Sequence, residues 1–437
     1  AMVPAFLGGE INGYVAAGML MGSSTCFVPM LVKGLRLVLL RSAEGTLGIP
    51  GRVALDNVER SLGRSALTVV ALMLAVALSM AIGAYATSFE GSMVTWVEDT
   101  FAADAYITAG SPLIDRQHMP FAPTVMEQVR SVQGIEAANP IRNVLLDVKD
   151  RRIVLQAMDT RTVFGEAERR GKRRRVAAGP SPIPLTSLYD APRALVSENF
   201  AAAFDLKPGS VFSVPTPSGP HDIEVTAVVV DFTSEQGMVL IDRRWFAEYW
   251  GDEVVDAVDV YFASGVVHEA AMQTIRERLR AVHGLFVTPN TGLREEMRGA
   301  ARALFAYAKA PELITLVVAI MGVIGTMLAA VLDRIRDIGV LRAIGATRRQ
   351  VAVSLVSESA FLGLSASVAG VLVGVPLGWI LISVVGKAQS GWSLAYAFPL
   401  ETALRMSGFV VLAAVVAGFF PGRQAASMDV KEALGYE

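Results

Sequence analysis

ALTVVALMLAVALSMAIGAYATS, residues 66–88, contains no charged side chain. A membrane span needs about 20 mostly apolar residues, so this stretch predicts a transmembrane helix. Four other stretches meet the same criterion: 5–32, 312–332, 359–385 and 406–420. Hydrophobic residues make up 53% of the chain and charged residues 18%, a balance that favours a membrane protein over a soluble one. We therefore predict an α-helical transmembrane bundle of about five spans.

The distribution of Lys and Arg indicates which side of the membrane each loop faces. Loops 33–64 and 333–352 carry most of the basic residues that lie near the spans, and such residues concentrate in cytoplasmic loops. Segment 90–310, between the second and third spans, is then outside the cytoplasm. The sequence thus predicts a multi-pass protein of the inner (cytoplasmic) membrane with a large extracytoplasmic domain. Trp392, Tyr396 and Phe398 in a short outer loop are typical of an interfacial aromatic belt.

Segment 90–310 alternates strand patterns rich in Val and Ile with amphipathic helical patterns, which predicts an α+β domain. We expect two lobes, divided at the polar, proline-rich stretch 165–193. This stretch contains a basic run: Arg169, Arg170, Lys172, Arg173, Arg174 and Arg175. Two interpretations stay open, a site for anionic lipid headgroups or an acidic partner, and a solvated loop.

The residue types that carry catalysis or metal binding do not form a pattern in this sequence. The sequence has no G-x-S-x-G, H-E-x-x-H or Walker A motif, and its four histidines lack the spacing of metal ligands. We predict no catalytic residue, no metal site and no cofactor bound by this chain. The net charge of −2 gives no reason to expect a nucleic-acid partner.

The loop Asp333–Gln350, DRIRDIGVLRAIGATRRQ, has the pattern of a short helix followed by a joint. Its apolar residues recur at helical spacing, Gly345 stands where a helix end favours a left-handed residue, and Thr347 with Gln350 forms a capping box that opens the next span. The loop is therefore predicted to be a rigid element between two spans. The alternative is a helix that lies on the lipid headgroups.

RDIGVLRAIGATRRQ within this loop resembles the signature of FtsX/MacB-like ABC transporter permeases. ALDNVERSLGRSALTVVALMLAVALS, residues 54–79, is similar to the entry into the first core helix of that family. The C-terminal PGRQAASMDVKEALGYE resembles the family's "P-x-R-x-A…D-P-x-x-A-L-R-Y-E", although it departs at Val430, where proline is usual, and at Gly435, where arginine is usual. The order of spans and domain also matches, over about 50–437.

The resemblance implies that this loop is the coupling helix that docks on a separate ATP-hydrolysing ABC subunit, where ATP is bound. The chain would be a permease subunit without enzymatic activity of its own. In this family, motion passes through the coupling helix and a stalk to the outer domain, a mechanism called mechanotransmission. The substrate class would be a lipoprotein, a peptide or a lipophilic molecule that is exported or extracted. The residues matched to the coupling segment are Arg334, Ile338, Gly339, Leu341, Arg342, Gly345, Ala346, Arg348 and Arg349.

An alternative function is a non-transporting signal transmitter of the same ABC type, which activates an extracytoplasmic hydrolase or sensor. The sequence does not distinguish the transporter from the signal transmitter, because both would use the same permease architecture and the same ATPase. The signature, together with the absence of a Walker A motif, is what favours a permease over an ATPase.

The predicted domains are a linking transmembrane helix (1–40), an amphipathic cytoplasmic segment with the first core span (41–89), the extracytoplasmic domain with its stalk (90–310) and three spans with the coupling loop and tail (311–437). The first span is extra to a four-helix unit and fits long family members that contain two such units. We therefore predict the second permease unit of a duplicated polypeptide, whose other half is its N-terminal part.

Small residues recur every four positions in the fourth span: Ala366, Gly370, Gly374 and Gly378. Such a face lets helix backbones approach closely. It predicts a helix–helix contact, either inside this unit or with the other permease half.

Overall fold

The computed structural model describes residues 9–42, 48–60, 62–109, 120–184, 187–279, 284–306 and 345–427, with scattered positions between 314 and 343. The chain divides into two compact units. We call Ala1–Ser88, Phe305–Val385 and Tyr396–Glu437 the helical unit, and Phe89–Leu304 with Gly386–Ala395 the sheet domain. The boundary after Ser88 falls inside one helix.

The helical unit is built from long apolar helices: α1 Gly9–Ser42, the amphipathic α2 Gly48–Arg60, the first part of α3 Leu62–Thr100, α11 Arg348–Ile380 and α13 Leu400–Ser427. Among the described residues, four helices are long and apolar enough to cross a membrane: Ile11–Arg41, Ser65–Thr100, Arg348–Ser390 and Leu400–Phe420. They confirm four of the predicted spans. The remaining one, 312–332, lies mostly outside the described residues and stays a prediction.

The interior of the helical unit contains side chains from each of these five described helices. Leu55 and Val58 of α2 are buried against it, and Arg36 of α1 pairs with Asp56 and Glu59 on the other face of α2. The most buried residues of the remaining helices are small or branched: Val28, Val69, Leu72, Val76, Leu362, Ala366, Val410 and Ala414. Their packing fixes α3, α11 and α13 side by side.

Ten strands lie in the described part of the sheet domain: β1 Ala105–Ala109, β2 Ile135–Val148, β3 Arg151–Met158, β4 Val176–Ala178, β5 Arg193–Ser197, β6 Val211–Thr216, β7 Gly219–Val229, β8 Met238–Asp242, β9 Ala257–Phe262 and β10 Leu285–Pro289. They form one mixed sheet in the order β10-β1-β9-β2-β3-β8-β5-β7-β4, with β6 paired to β7. β3–β8 and β5–β7 are parallel, and the other neighbours are antiparallel. The helices are α4 Thr124–Arg130, α5 Thr160–Arg169, α6 Ser187–Asp190, α7 Glu198–Phe204, α8 Arg243–Trp250, α9 His268–Arg278, α10 Asn290–Ala306 and α12 Lys387–Ser390.

The predicted α+β domain is thus confirmed, but its two lobes share one sheet. One lobe has its core around β1, β2, β9 and β10, under α4 and α9. The other surrounds β3, β5, β7 and β8. The predicted divide at 165–193 is wrong, because that stretch runs from the end of α5 through β4 to β5 inside the second lobe. Its polar composition has another cause, the ion pairs described below.

Candidate functional site

The described part of the predicted coupling loop ends in a defined joint. Gly345 has φ +109°, a backbone conformation that favours glycine, and its amide donates to the carbonyl of Arg342 at 3.1 Å. The Thr347 hydroxyl then accepts from the Gln350 amide at 3.2 Å, while the Gln350 side-chain oxygen accepts from the Thr347 amide at 2.8 Å. This is the capping box that the spacing predicts.

The first turns of α11 have two different faces. Arg348 and Arg349 are exposed, whereas Val351 and Leu355 are buried and pack with the half-buried Ala346. These apolar contacts hold the backbone of the helix start in place, and Arg348 and Arg349 extend from its exposed side. Of the other predicted coupling residues, Arg334, Ile338, Gly339 and Leu341 lie outside the described residues.

The small-residue face of α11 lies against α3 of the same unit. A Cβ built on Gly374 would be 2.5 Å from the Cβ of Met80 and 3.2 Å from the Cα of Ala77. At Gly378 a Cβ would be 2.9 Å from the Cβ of Ala84. Gly370 is equally close to Val76, and Ala366 is fully buried. These positions therefore bring the two backbones together, and any larger side chain would separate them.

The basic run of the sheet domain is an ion-pair network. Arg169 pairs with Glu136 and Glu166, and Arg170 pairs with Asp104 at 2.9 Å as well as with Glu166. These carboxylates come from three different parts of the chain. A solvated loop does not describe these two arginines, because their partners are carboxylates of the same domain. The headgroup or acidic-partner interpretation stays a hypothesis for Arg169, whose side chain is 58% exposed.

Arg174 of this run is the most deeply placed. Its side chain is 8% exposed and pairs at 3.4 Å with Asp231, which is 1% exposed. Burial lowers the pKa of the Arg174 guanidinium, and the Asp231 charge opposes that effect. The pair joins the segment before β4 to the turn after β7, so Arg174 is a structural residue of the second lobe.

Asp259 on β9 extends this network into the centre of the sheet. Its carboxylate accepts from the side-chain amide of Asn139 at 3.3 Å. Burial raises the pKa of Asp259 to about 7, although Asn139 and the Arg174 charge both act to lower it. Burial also raises the pKa of its neighbours Tyr106 and Tyr261. Asp259 is thus a carboxyl group that titrates near neutral pH inside the domain.

These carboxylates were not predicted from the sequence, although a signal for them was present. Asp259 interrupts the apolar strand AVDVYF, and Asp231 directly follows the apolar end of β7. A buried carboxylate needs a partner, and the nearby basic run could have supplied it. Within the described part of the chain, no cluster of His, Cys, Asp or Glu could hold a metal ion.

Comparison with known families matches two parts of the chain. Residues 65–278 match the MacB-like periplasmic core domain, and residues 313–430 match the FtsX-like permease C-terminal domain. The first match covers nearly all of α3 and most of the sheet. The second covers the coupling loop and the last two described spans.

Two curated relatives are similar over different lengths. An uncharacterized ABC transporter permease protein of Mycobacterium tuberculosis is 28% identical over 92% of this chain, which covers 47% of that protein. The macrolide export ATP-binding/permease protein MacB of Bradyrhizobium diazoefficiens is 30% identical over 44% of this chain and 29% of that protein. The chain thus spans less than half of the length of either relative.

A solved structure is also similar, the extracellular domain of the noncanonic ABC-type transporter YknZ from Gram-positive bacteria. Its sequence is 11% identical to that of this chain. The match covers 43% of this chain and 98% of the solved domain, with a TM-score of 0.30.

Proposed function

We propose, from the premise that this chain is an ABC transporter permease of the FtsX/MacB type, that it converts ATP hydrolysis by a separate subunit into movement of its extracytoplasmic domain. The ATPase binds at the cytoplasmic side, on the segment that ends at Arg349. The protein resides in the inner membrane. A second permease half, the N-terminal part of the same polypeptide, completes the machine.

The observation that carries this proposal is the continuity of α3. Leu62–Thr100 is one uninterrupted helix of 39 residues, which is about 58 Å at 1.5 Å per residue. Its residues up to Ser88 belong to the helical unit, and those from Phe89 belong to the sheet domain. A hydrogen-bonded helix resists bending, so a displacement of its first turns reaches its last turn. Only four residues separate that turn from β1.

Contacts at the cytoplasmic end support the ATPase as the source of that displacement. The glycine joint at 345 and the capping box fix the direction in which α11 starts. Exposed Arg348 and Arg349 offer charges to a protein surface that carries carboxylates. α11 in turn touches α3 along the small-residue face, so a force on its first turn is carried to α3 through packed backbones.

The family resemblance is what supports a lipophilic or peptide substrate, the lipid part of a lipoprotein included, that is exported or extracted. The alternative is a non-transporting signal transmitter of the same ABC type. The crevice between α3 and α10, lined by Met93, Val94, Val97 and Met297, has room for about one water molecule and is no substrate pocket.

Breaking α3 between the two units tests the proposal. Gly91→Pro removes a backbone hydrogen bond of the helix and disfavours helical geometry at the preceding residue. Gly91→Ala is the matched control, because a Cβ at Gly91 meets nothing within 4 Å. The full polypeptide, with the ATPase that co-purifies with it, is placed in lipid nanodiscs, and amide hydrogen exchange of the sheet domain is measured with and without ATP.

We expect the ATP-dependent change in exchange to fall by more than half in Gly91→Pro and to stay at the wild-type level in Gly91→Ala. ATPase association and basal hydrolysis should be the same in both variants. A full ATP-dependent change in Gly91→Pro would show that α3 does not transmit the movement, and the proposal would be wrong.

A further inference from the structure

The outer segment Gly386–Ala395, which connects α11 to α13, belongs to the sheet domain by its contacts. It follows a π-helical turn, Leu381–Gly386, and contains the short helix α12. The sequence predicted an aromatic belt at this place. Trp392, however, is 9% exposed and lies in the core of a ring cluster.

Gly391 is the point of closest approach between this segment and the domain. Its φ is +73°, and a Cβ there would lie 2.5 Å from the Cα of Asn199 and 2.7 Å from its Cβ. Both facts require glycine. The segment's backbone therefore lies directly on the first turn of α7.

Two backbone hydrogen bonds hold the segment just after this contact. The amide of Ser393 donates to the carboxylate of Glu198, the first residue of α7, at 3.1 Å, and the amide of Ala395 donates to the hydroxyl of Ser92 on α3 at 3.1 Å. The Gly391 amide closes α12 by donating to the Lys387 carbonyl at 2.9 Å. Since the donors are backbone amides of the segment, these bonds fix its backbone against α7 and α3.

Trp392 completes the attachment through its ring. Its centroid lies 5.1 Å from that of Phe232 and 6.2 Å from that of Phe89. Phe232 in turn lies edge-on to Trp96 at 5.7 Å. A buried aromatic ring removes about 150–250 Å² from water, so this cluster is the apolar centre of the attachment.

The receiving surface is itself rigid. The Asn199 side-chain amide donates to the carbonyls of Ser234 at 2.8 Å and Glu235 at 3.0 Å. Asp231 accepts from the Thr233 amide at 2.8 Å and pairs with the buried Arg174. The turn that carries Phe232 is thus locked to α7 and to the basic run. A force on Gly391 would therefore move the second lobe as a body.

We propose that Gly386–Ala395 is a second mechanical connection, through which α11 and α13 act on the second lobe of the domain, with Gly391 and Trp392 as its positioning residues. This inference rests on the proposed function. α3 continues into β1 of the first lobe, whereas Gly386–Ala395 lies on α7, which is next to β5 of the second lobe. Unequal displacement of the two connections then moves one lobe against the other.

The test uses the same nanodisc complex, formed by the full polypeptide and its co-purifying ATPase. Gly391→Ala forces the segment away from Asn199. Gly251→Ala is the matched control, since Gly251 also has a positive φ, +64°, in the same domain, while a Cβ there meets nothing within 4 Å. Glu198→Ala is a second variant, which removes only the acceptor of the Ser393 amide. Faster exchange of the amides at 391–395 verifies that each variant releases the segment.

In Gly391→Ala and Glu198→Ala, we expect the effect of ATP on the hydrogen-exchange rates of β5, α7 and β8 to fall by more than half. The effect of ATP on the exchange rates of β1 and β10 should persist. Gly251→Ala should behave as the wild type, and all three should retain basal ATP hydrolysis. An unaltered response in the second lobe, with the segment released, overturns the inference but leaves the proposed function standing. If the wild-type domain shows no ATP-dependent change at all, the proposed function fails and this inference fails with it.

Discussion

In the helical unit α11 and α3 meet through glycine and alanine, whereas in the sheet domain the 169–175 segment is held through arginine and carboxylate. At Gly374 there is no room for a methyl group beside Met80. At Arg174 a guanidinium fills the space beside Asp231 and is itself buried. One contact brings two backbones together, and the other brings together long side chains from distant parts of the chain.

The difference follows from the solvent that surrounds each unit. Lipid tails are as apolar as a leucine side chain, so helices in a membrane gain little from burying leucine and gain from close backbone contact. In a domain that folds in water, burial of apolar strands drives folding, and a charge left inside the sheet must be paired. The two contacts therefore respond to substitution in different ways.

Arg174→Ala should have the largest effect on stability. It leaves the carboxylate of Asp231 buried without its partner, and such a loss costs about 3–5 kcal/mol. Thermal unfolding and hydrogen exchange of β7 in the full chain would measure it. Arg152→Ala is the control, because Arg152 and Asp147 form a pair in which both side chains are about two-thirds exposed, and solvent screens such a pair so that its loss should have little effect. Equal effects of the two substitutions would contradict a buried, paired Arg174.

Asp259→Asn should change how the stability of the domain depends on pH. Because the pKa of Asp259 is raised from 3.8 to about 7, the folded domain binds a proton between these values and the unfolded chain does not. Stability of the wild type should therefore fall by about 2–3 kcal/mol as pH rises from 5 to 8, and it should level off above pH 7.

An asparagine at position 259 has the shape of the aspartate and can keep the hydrogen bond with Asn139, but it cannot titrate. The stability of the variant should therefore not fall between pH 5 and 8 in the way that of the wild type does. Melting in detergent at several pH values gives the comparison. The groups that face Asp259 are Asn139, Arg174, Tyr106 and Tyr261, and none of these residues ordinarily titrates between pH 5 and 8. A variant with the same slope as the wild type would assign the titration to another group.

The two regions also differ in how far the sequence predicted them. The stripe at 366–378 and the capping box at 347–350 are set by residues three or four positions apart, so the helical period reveals them directly. The partners of Arg170 and Arg174 are Asp104 and Asp231, which are brought close only by the order of strands in the sheet. Local pattern could not show that order, so the sequence left the basic run between a headgroup or acidic-partner site and a solvated loop.

The same reason explains the error about Trp392. Its aromatic neighbours in the sequence indicate a membrane belt, whereas its partners in space are Phe89 and Phe232, on α3 and after β7. The span positions were predictable, because hydropathy acts over a contiguous stretch. The attachment of the outer segment was not, because it depends on a glycine that meets α7 nearly two hundred residues away.

Gly370→Ala should destabilise the helical unit by about 1–3 kcal/mol through overpacking. Its Cβ would overlap Val76 and lie 3.0 Å from the carbonyl of Met73. Gly408→Ala in α13 is the control, since a Cβ there meets nothing within 4 Å, and alanine is the better helix former. Thermal unfolding in one detergent compares the two. Equal stability would mean that α11 and α3 can separate without cost.

Thr347→Ala should have the smallest effect, about 1 kcal/mol, because it removes a hydrogen bond at the end of a long helix. Hydrogen exchange of the Gln350 and Val351 amides, which donate to the side chain and the carbonyl of Thr347, should become about fivefold faster, while exchange near Gly370 stays unchanged. Gln350→Glu keeps an acceptor for the Thr347 amide, and its amides should exchange as those of the wild type do.

The lost cap should also affect partner binding, because this first turn sets the backbone direction at Arg348 and Arg349. Association with the ATPase should therefore weaken in Thr347→Ala although the fold is intact, and unchanged association would show that the cap does not position these arginines.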